Sequence, residues 1–294
     1  MRSSLRPAPV ERARPLLGTT VAVRASFART AAAQAAIDCA FAEVAQVHSL
    51  MSFHDPASDL SRLNGHAAMG TVMVDPRTYE VLSWALQLAE DSEGCFDPTI
   101  AAEAVRAGAL PRPACPNDPD PAASWRDIEL MGEVCGVRFH RPLWIDLGGV
   151  AKGYAVDCAI AALRAAGAGQ ASVNAGGDLR VIGADAELIH LRCGEPCADA
   201  LPILEVCDGA VASSGSGPDL ETAGAVHIDG TSRIRVPRGR FATVVAPTCM
   251  AADALTKPVL ARGTAPDGLL ERYGATAHLY DHNGGWRSFG AHAA

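Results

Sequence analysis

Trp144-Ile-Asp-Leu-Gly-Gly-Val-Ala-Lys-Gly-Tyr154 is the most informative stretch of the 294-residue chain. The run Pro142 to Asp146 reads as a strand that delivers a carboxylate at its end. Two glycines then let the backbone approach a neighbour closely, and a helix is expected from about Lys152 to Ala166. Peptide N–H groups at a helix start, with a lysine beside them, form a natural seat for phosphates. The spacing is neither the GxxxxGK[ST] of a nucleoside triphosphatase loop nor the GxGxxG of a dinucleotide-binding unit. A plain strand-to-helix turn explains the glycines but not Asp146, Lys152 and Asp157 together.

Outward from this block, strands and helices do not alternate regularly. Toward the N-terminus a strand at Thr19 to Ala25 leads into a helix from about Thr30 to Met51, where Ile37, Phe41, Val44, Val47 and Met51 recur at helical spacing. Asp75-Pro76 is an N-cap followed by proline at the first helical position, so a second helix starts there and stops near Gly94. Prolines 111, 113, 116, 119 and 121 make Gly108 to Ser124 a surface excursion. Strands are expected at 136–140, 171–174, 179–182, 188–192, 203–206, 233–236, 243–246 and 276–280, with one more helix near Ala251 to Ala261. Hairpins mixed with a few long helices predict an α+β fold. No internal repeat is seen, and residues 1–294 are read as a single domain.

Composition narrows the function. A net charge of −8 without a Lys/Arg-rich run argues against nucleic acid or an anionic membrane as the main partner. No stretch approaches the roughly 18 apolar residues of a membrane span. The start, with four arginines and no apolar leader, points to the cytoplasm or to a leader already removed. Nine cysteines without a CxxC pair suit reduced thiols packed as small hydrophobes, such as Cys39, Cys158 and Cys249. Cys193 and Cys197 have tolerable ligand spacing but no second pair nearby.

Several further segments admit both a chemical and a purely structural reading. In the loop 51–64, Ser58 or Asp59 can cap a helix with Arg62 paired to Asp59. In Gly94-Cys-Phe-Asp-Pro-Thr99, proline holds Asp97 extended, to meet a ligand or to cap the backbone at Thr99. Ser172-Val-Asn-Ala-Gly-Gly-Asp-Leu-Arg180 is a hairpin with Gly176 and Gly177 at positive φ, which can also line a ligand site. Val211 to Ser216 is a small-residue loop with hydroxyls and amides to offer. In Met250-Ala-Ala-Asp-Ala-Leu-Thr-Lys-Pro258, Asp253 and Thr256 share a helix face suited to two oxygens on a hard cation such as Mg²⁺, or Asp253 merely complements the helix dipole. His227-Ile-Asp229 alone is a weak signal among nine histidines.

Taken in order, these blocks resemble the ApbE family of FAD:protein FMN transferases from about Leu17 to Ala261. The matching blocks are Leu17-Gly-Thr19, Met51-Ser52 with Ser58 to Asn64, Gly94 to Thr99, Asp146 to Tyr154, Asn174 to Asp178 and Ser213-Ser-Gly215. The resemblance implies a flavin cleft between two halves built of mixed and antiparallel sheets with flanking helices. It places flavin contacts on Met51, Cys95, Phe96, Asp97, Asp146 and Lys152, and a Mg²⁺ on the Gly149 carbonyl, Asp253 and Thr256. Asp253 and His227 become the catalytic candidates. The implied reaction moves FMN from FAD to a Thr or Ser of an acceptor protein, releasing AMP. An FAD-holding homologue and an FAD pyrophosphatase are the alternatives.

Three departures touch the chemistry. The family reads Ala-Asp-Ala-Leu-Ser-Thr where this chain has Ala252 to Lys257, so an ammonium stands where a hydroxyl is expected, there to repel Mg²⁺ or to replace it. The family's His-Ile-Ile-Asp-Pro-x-Thr-Gly is shortened to His227 to Thr231, and the aromatic residue after Ser-Gly is missing at Ser216-Gly217.

Overall fold

A computed structural model describes residues 9–27, 30–191, 203–216 and 226–290. Eight antiparallel strands form the main sheet: β1 (Val10–Leu16), β2 (Thr19–Ser26), β6 (Gln170–Ala175), β7 (Asp178–Ile182), β10 (Ala210–Ser216), β11 (Arg240–Ala246), β12 (Thr276–Asp281) and β13 (Gly285–Phe289), in that order. The strands β3 (Val72–Met73), β5 (Gly136–Phe139) and β4 (Ile128–Met131) form a small second sheet, and β8 (Glu187–His190) pairs with β9 (Ile203–Val206). All pairings among the described residues are antiparallel, as the α+β reading requires.

The helices are α1 (Thr30–Met51), α2 (Asp59–His66), α3 (Pro76–Asp91), α4 (Ala101–Arg106), α5 (Ala151–Ala165), α6 (Cys249–Arg262) and α7 (Leu269–Arg272). The apolar stripe of α1 packs on α5, which packs on α6, and α6 covers β10 and β11. Ile37, Phe41, Val44, Ile160, Leu163, Leu255 and Val244 lie at or near zero exposure in this core. At the α5–α6 crossing, a Cβ on Gly153 would collide with the Cys249 carbonyl and lie 2.8 Å from Met250 Cα, so only glycine permits this approach. Asp157 accepts from the Cys249 and Met250 N–H groups (2.9 Å each), capping α6, and pairs with Arg180. Its place beside Lys152 in the sequence therefore serves the frame of the site.

Four expectations are corrected. Pro142 to Asp146 is extended but joins no sheet: Asn64 grips both peptide groups of Ile145 (2.8 and 3.0 Å) and the Asp146 N–H donates to Pro98 (2.8 Å), replacing a ladder. Residues 233–236 contribute only a bridge between Ile228 and Arg235, because a tight turn at 229–233 closes before pairing can extend. The small-residue loop 211–216 is strand β10, held between β7 and β11. Cys39 is exposed, whereas Cys249 is buried as expected. Strand β1 and strand β13 were not anticipated. Cys193, Cys197, Arg192 and Gly217 lie outside the described residues. The excursion 108–124 has no helix or strand, but it is tied down: Asp120 N–H donates to Pro142 and Trp144 Nε1 to Cys115 Sγ. No helix among the described residues is long and apolar enough to cross a membrane.

Candidate functional site

Two walls of the site are placed by local devices visible in the sequence, the Gly94 turn and the Gly176-Gly177 hairpin. Gly94, at φ +80°, ends the turn after α3 and turns the chain into Cys95-Phe96-Asp97. Asp97 Oδ1 accepts from both the Thr99 N–H and the Thr99 hydroxyl (2.7 Å each), and Oδ2 accepts from Arg233 (2.6 Å). The backbone-capping role is thus real, and Arg233 joins it. Gly230 N–H donates to the Cys95 carbonyl, and a Cβ at Gly230 would strike Gly94 and Asp97. The shortened segment 227–233 is thereby docked onto the 94–99 turn, which carries His227 to the site. Opposite, the β6–β7 hairpin turns through Gly176 (φ +67°) and Gly177 (φ +109°), with Gly177 N–H donating to the Asn174 side chain.

These elements enclose a cavity of about 900 Å³, at the upper end of the range for small-molecule sites. Cys95, Phe96 and Asp97 line it together with Asp146, Gly149 and Lys152, and with Asn174, Gly177 and Ser213 to Gly215. His227 and Lys257 also face it, as do Ala109 and Leu110 from the start of the excursion. Of the residues expected in the site, Met51, Asp253 and Thr256 do not line the cavity. Met51 packs in the core at the end of α1, and Asp253 and Thr256 are wholly buried in α6.

Below the cavity lies a four-membered charge cluster. Lys152 pairs directly with Asp178 and stands 3.9 Å from Asp253. Lys257 Nζ donates to the Asp253 carboxylate and to the Asp253 carbonyl (2.9 Å), and stands 3.4 Å from Ser214 Oγ. Burial alone would raise the Asp253 carboxyl, but Lys152 and Lys257 overcome it and hold the group below its ordinary value. Burial works against Lys152, and the carboxylates of Asp253 and Asp178 outweigh it, keeping the ammonium protonated. Asp178 is raised, by burial first and by Asp253 next. His227 is pushed down to about 4 by burial, then by Lys257 and Lys152, so it is neutral at physiological pH. Burial also raises Asp146, Asp97 and the Cys95 thiol, the last to about 11.

Mg²⁺ requires oxygen ligands in near-octahedral array. Asp253 Oδ1 is taken by Lys257, and Oδ2 accepts from the Gly153 N–H (3.2 Å). Thr256 Oγ1 is turned toward the Asp253 carbonyl (2.6 Å) and Ser214 Oγ (2.8 Å). The Lys257 stem lies 3.2 Å from where a Gly149 Cβ would sit. Two ammoniums occupy the surroundings of Asp253, so Gly149, Asp253 and Thr256 as arranged do not fit Mg²⁺. No group of three acidic, His or Cys side chains with metal-holding geometry occurs among the described residues.

Arg233 is the supporting residue that sequence reasoning missed. It lies 136 positions from Asp97, and no spacing signal links them. Asp146 lines the cavity, and its carboxylate accepts from the Gly148 N–H (3.0 Å).

The sequence pattern of the family described as "ApbE family" matches residues 17–277. A Treponema pallidum protein named FAD:protein FMN transferase is 29% identical over 185 residues, covering 58% of this chain and 51% of that protein. A Vibrio cholerae protein of the same name is 25% identical over 274 residues, covering 85% of this chain and 80% of that one. The match thus spans about half of the first relative's length and most of the second's. The apo crystal structure of the Pseudomonas stutzeri flavinyl transferase ApbE superposes with a TM-score of 0.81 at 20% identity, covering 99% of this chain and 97% of that one.

Proposed function

Because the chain belongs to the ApbE family, we propose that it is an FAD:protein FMN transferase. FAD is the substrate, and an acceptor protein supplies a Thr or Ser hydroxyl. The hydroxyl oxygen bonds to the FMN phosphorus, the bond from that phosphorus to the bridging oxygen breaks, and AMP leaves. The hydroxyl proton passes to His227, the general base, which is uncharged near pH 7 and so keeps one unprotonated ring nitrogen to accept it.

The observation that carries this reading is the meeting of neutral His227 with two ammoniums, Lys152 and Lys257, in one cavity large enough for a dinucleotide's reacting centre. A pyrophosphate carries two negative charges, and its cleavage needs positive charge and an in-line nucleophile more than any covalent help from the protein. Phe96 and Cys95 offer an apolar flank to the isoalloxazine ring and Asp146 an acceptor to its polar edge, while Asp97, whose oxygens accept from Thr99 and Arg233, holds the turn that carries Cys95 and Phe96. Asp253 acts by fixing Lys152 and Lys257, since it does not itself face the cavity. The reading gives Mg²⁺ no step, because the Asp253 oxygens are committed within the protein.

The test is to incubate the chain with FAD and a domain bearing an acceptor Thr or Ser, then measure AMP and covalent flavin fluorescence on the acceptor. The expected result is AMP and bound flavin in equal amounts. Free FMN and AMP without acceptor, or intact FAD throughout, would refute transfer.

A further inference from the structure

We propose that the Lys257 ammonium is the resident cation of this site, taking the place of a divalent metal at Asp253 and presenting its charge to the pyrophosphate together with Lys152. The inference rests on the FAD reading above but makes a separate claim, that FAD is bound without a metal.

Three observations support it. The oxygens around Lys257 Nζ are a carboxylate, a carbonyl at 2.9 Å and a hydroxyl at 3.4 Å, which is the donor set a hard cation would recruit. Lys257 also lines the cavity, with 17% of its side chain exposed, whereas the Asp253 side chain is at zero exposure and does not line it. Finally, the frame is fixed. Gly153 brings α5 and α6 into contact, and its N–H holds the second Asp253 oxygen, so the carboxylate has no free oxygen to turn outward.

The charge count also closes. Lys152 and Lys257 balance Asp178 and Asp253, so the cluster is neutral without an added ion. A divalent cation entering here would meet an ammonium already bonded to its only carboxylate ligand. Lysine is suited to the post, being a compact point charge on a flexible stem with three donors.

The experiment pairs FAD affinity, read by quenching of flavin fluorescence, with Mn²⁺ binding read by electron paramagnetic resonance. Wild type and Lys257→Thr are each measured with EDTA and with Mg²⁺. Wild type is expected to bind FAD equally in both conditions, within about twofold, and to immobilise no Mn²⁺. Lys257→Thr is expected to lose at least tenfold in FAD affinity in EDTA, to regain it with Mg²⁺, and to bind one Mn²⁺. A wild type that loses tenfold in EDTA, or that binds one Mn²⁺ displaced by Mg²⁺, would overturn the proposal. Should Lys257→Thr fail to fold, the wild-type arms decide alone. Transfer to the acceptor is read in parallel. Metal-free FAD binding without transfer keeps the resident cation and removes the transferase reading; transfer that needs Mg²⁺ does the reverse.

Discussion

Replacing Lys152 with methionine measures what the charge cluster contributes to the fold. The lysine serves two carboxylates, bonding Asp178 and standing 3.9 Å from Asp253, whose side chains are 1% and 0% exposed. Removing one partner of a fully buried ion pair costs about 3–5 kcal/mol, because the other charge is left without compensation. Lys152 itself is 35% exposed, so water already screens part of the interaction, and a loss of about 2–3 kcal/mol is the reasoned value. At roughly 2–4 °C per kcal/mol for a chain of this size, Tm falls by about 5–10 °C.

The loss carries a pH signature. Asp178 is already raised, and without Lys152 it rises further, so acidification neutralises it and the gap to wild type narrows. The sign for Asp253 runs the other way. Its carboxyl is held low in the folded wild type, so its stabilising contribution is present above the unfolded value of about 3.9 and is lost as pH falls through the folded value. Thermal melts from pH 5 to 8 on wild type, Lys152→Met and Lys152→Met/Asp178→Asn provide the assay. The double variant should regain at least half of the lost stability. A gap that does not change with pH, together with a double variant less stable than the single one, would refute the electrostatic account.

Three other outcomes are expected. Gly153→Ala should lose about 1–3 kcal/mol by overpacking the α5–α6 contact, visible as a lower urea midpoint with the slope unchanged; an undiminished midpoint would mean that the helices separate without cost. His227→Gln should slow single-turnover transfer by about 10²–10⁴-fold and leave FAD affinity within a few-fold. In wild type the acid limb of that rate should fall near pH 4 and be absent between pH 6 and 8, because the imidazole is protonated only below that limb. Arg233→Leu strands the buried Asp97 carboxylate and should destabilise by about 2–3 kcal/mol, with Asp97→Asn in the same chain restoring part of the Tm; no restoration would show that Arg233 acts by packing alone.

The long elements were legible because their signals are local. The stripe of α1, the Asp75-Pro76 start of α3 and the glycine pair between β6 and β7 are each decided by neighbours in sequence. Strand β10 was not, since Ala-Val-Ala-Ser-Ser-Gly-Ser has a loop's composition and is held as a strand by pairing to β7 and β11. Pro142 to Asp146 had a strand's composition but met the amide of Asn64 instead of a partner strand. At the site, the motifs marked which residues converge, and Lys257 stood out as a departure. That its ammonium binds three oxygens depends on the α6 geometry and on Ser214, 43 positions away. Met51 and Thr256 carried motif identity without facing the cavity, and Arg233 reached Asp97 through a turn that no periodicity announces.

Strand β1 closes one flank of the eight-stranded sheet, and an open flank invites further chains to add on. Here Glu11, Arg12 and Arg14 are exposed, Arg14 is held by Asp38 of α1 at 2.5 Å, and Pro15 withholds a main-chain donor. Any chain attempting to zip onto this margin would have to desolvate three charges and forgo a bond. The composition that hid β1 from a strand search is also what guards the protein against edge-to-edge aggregation.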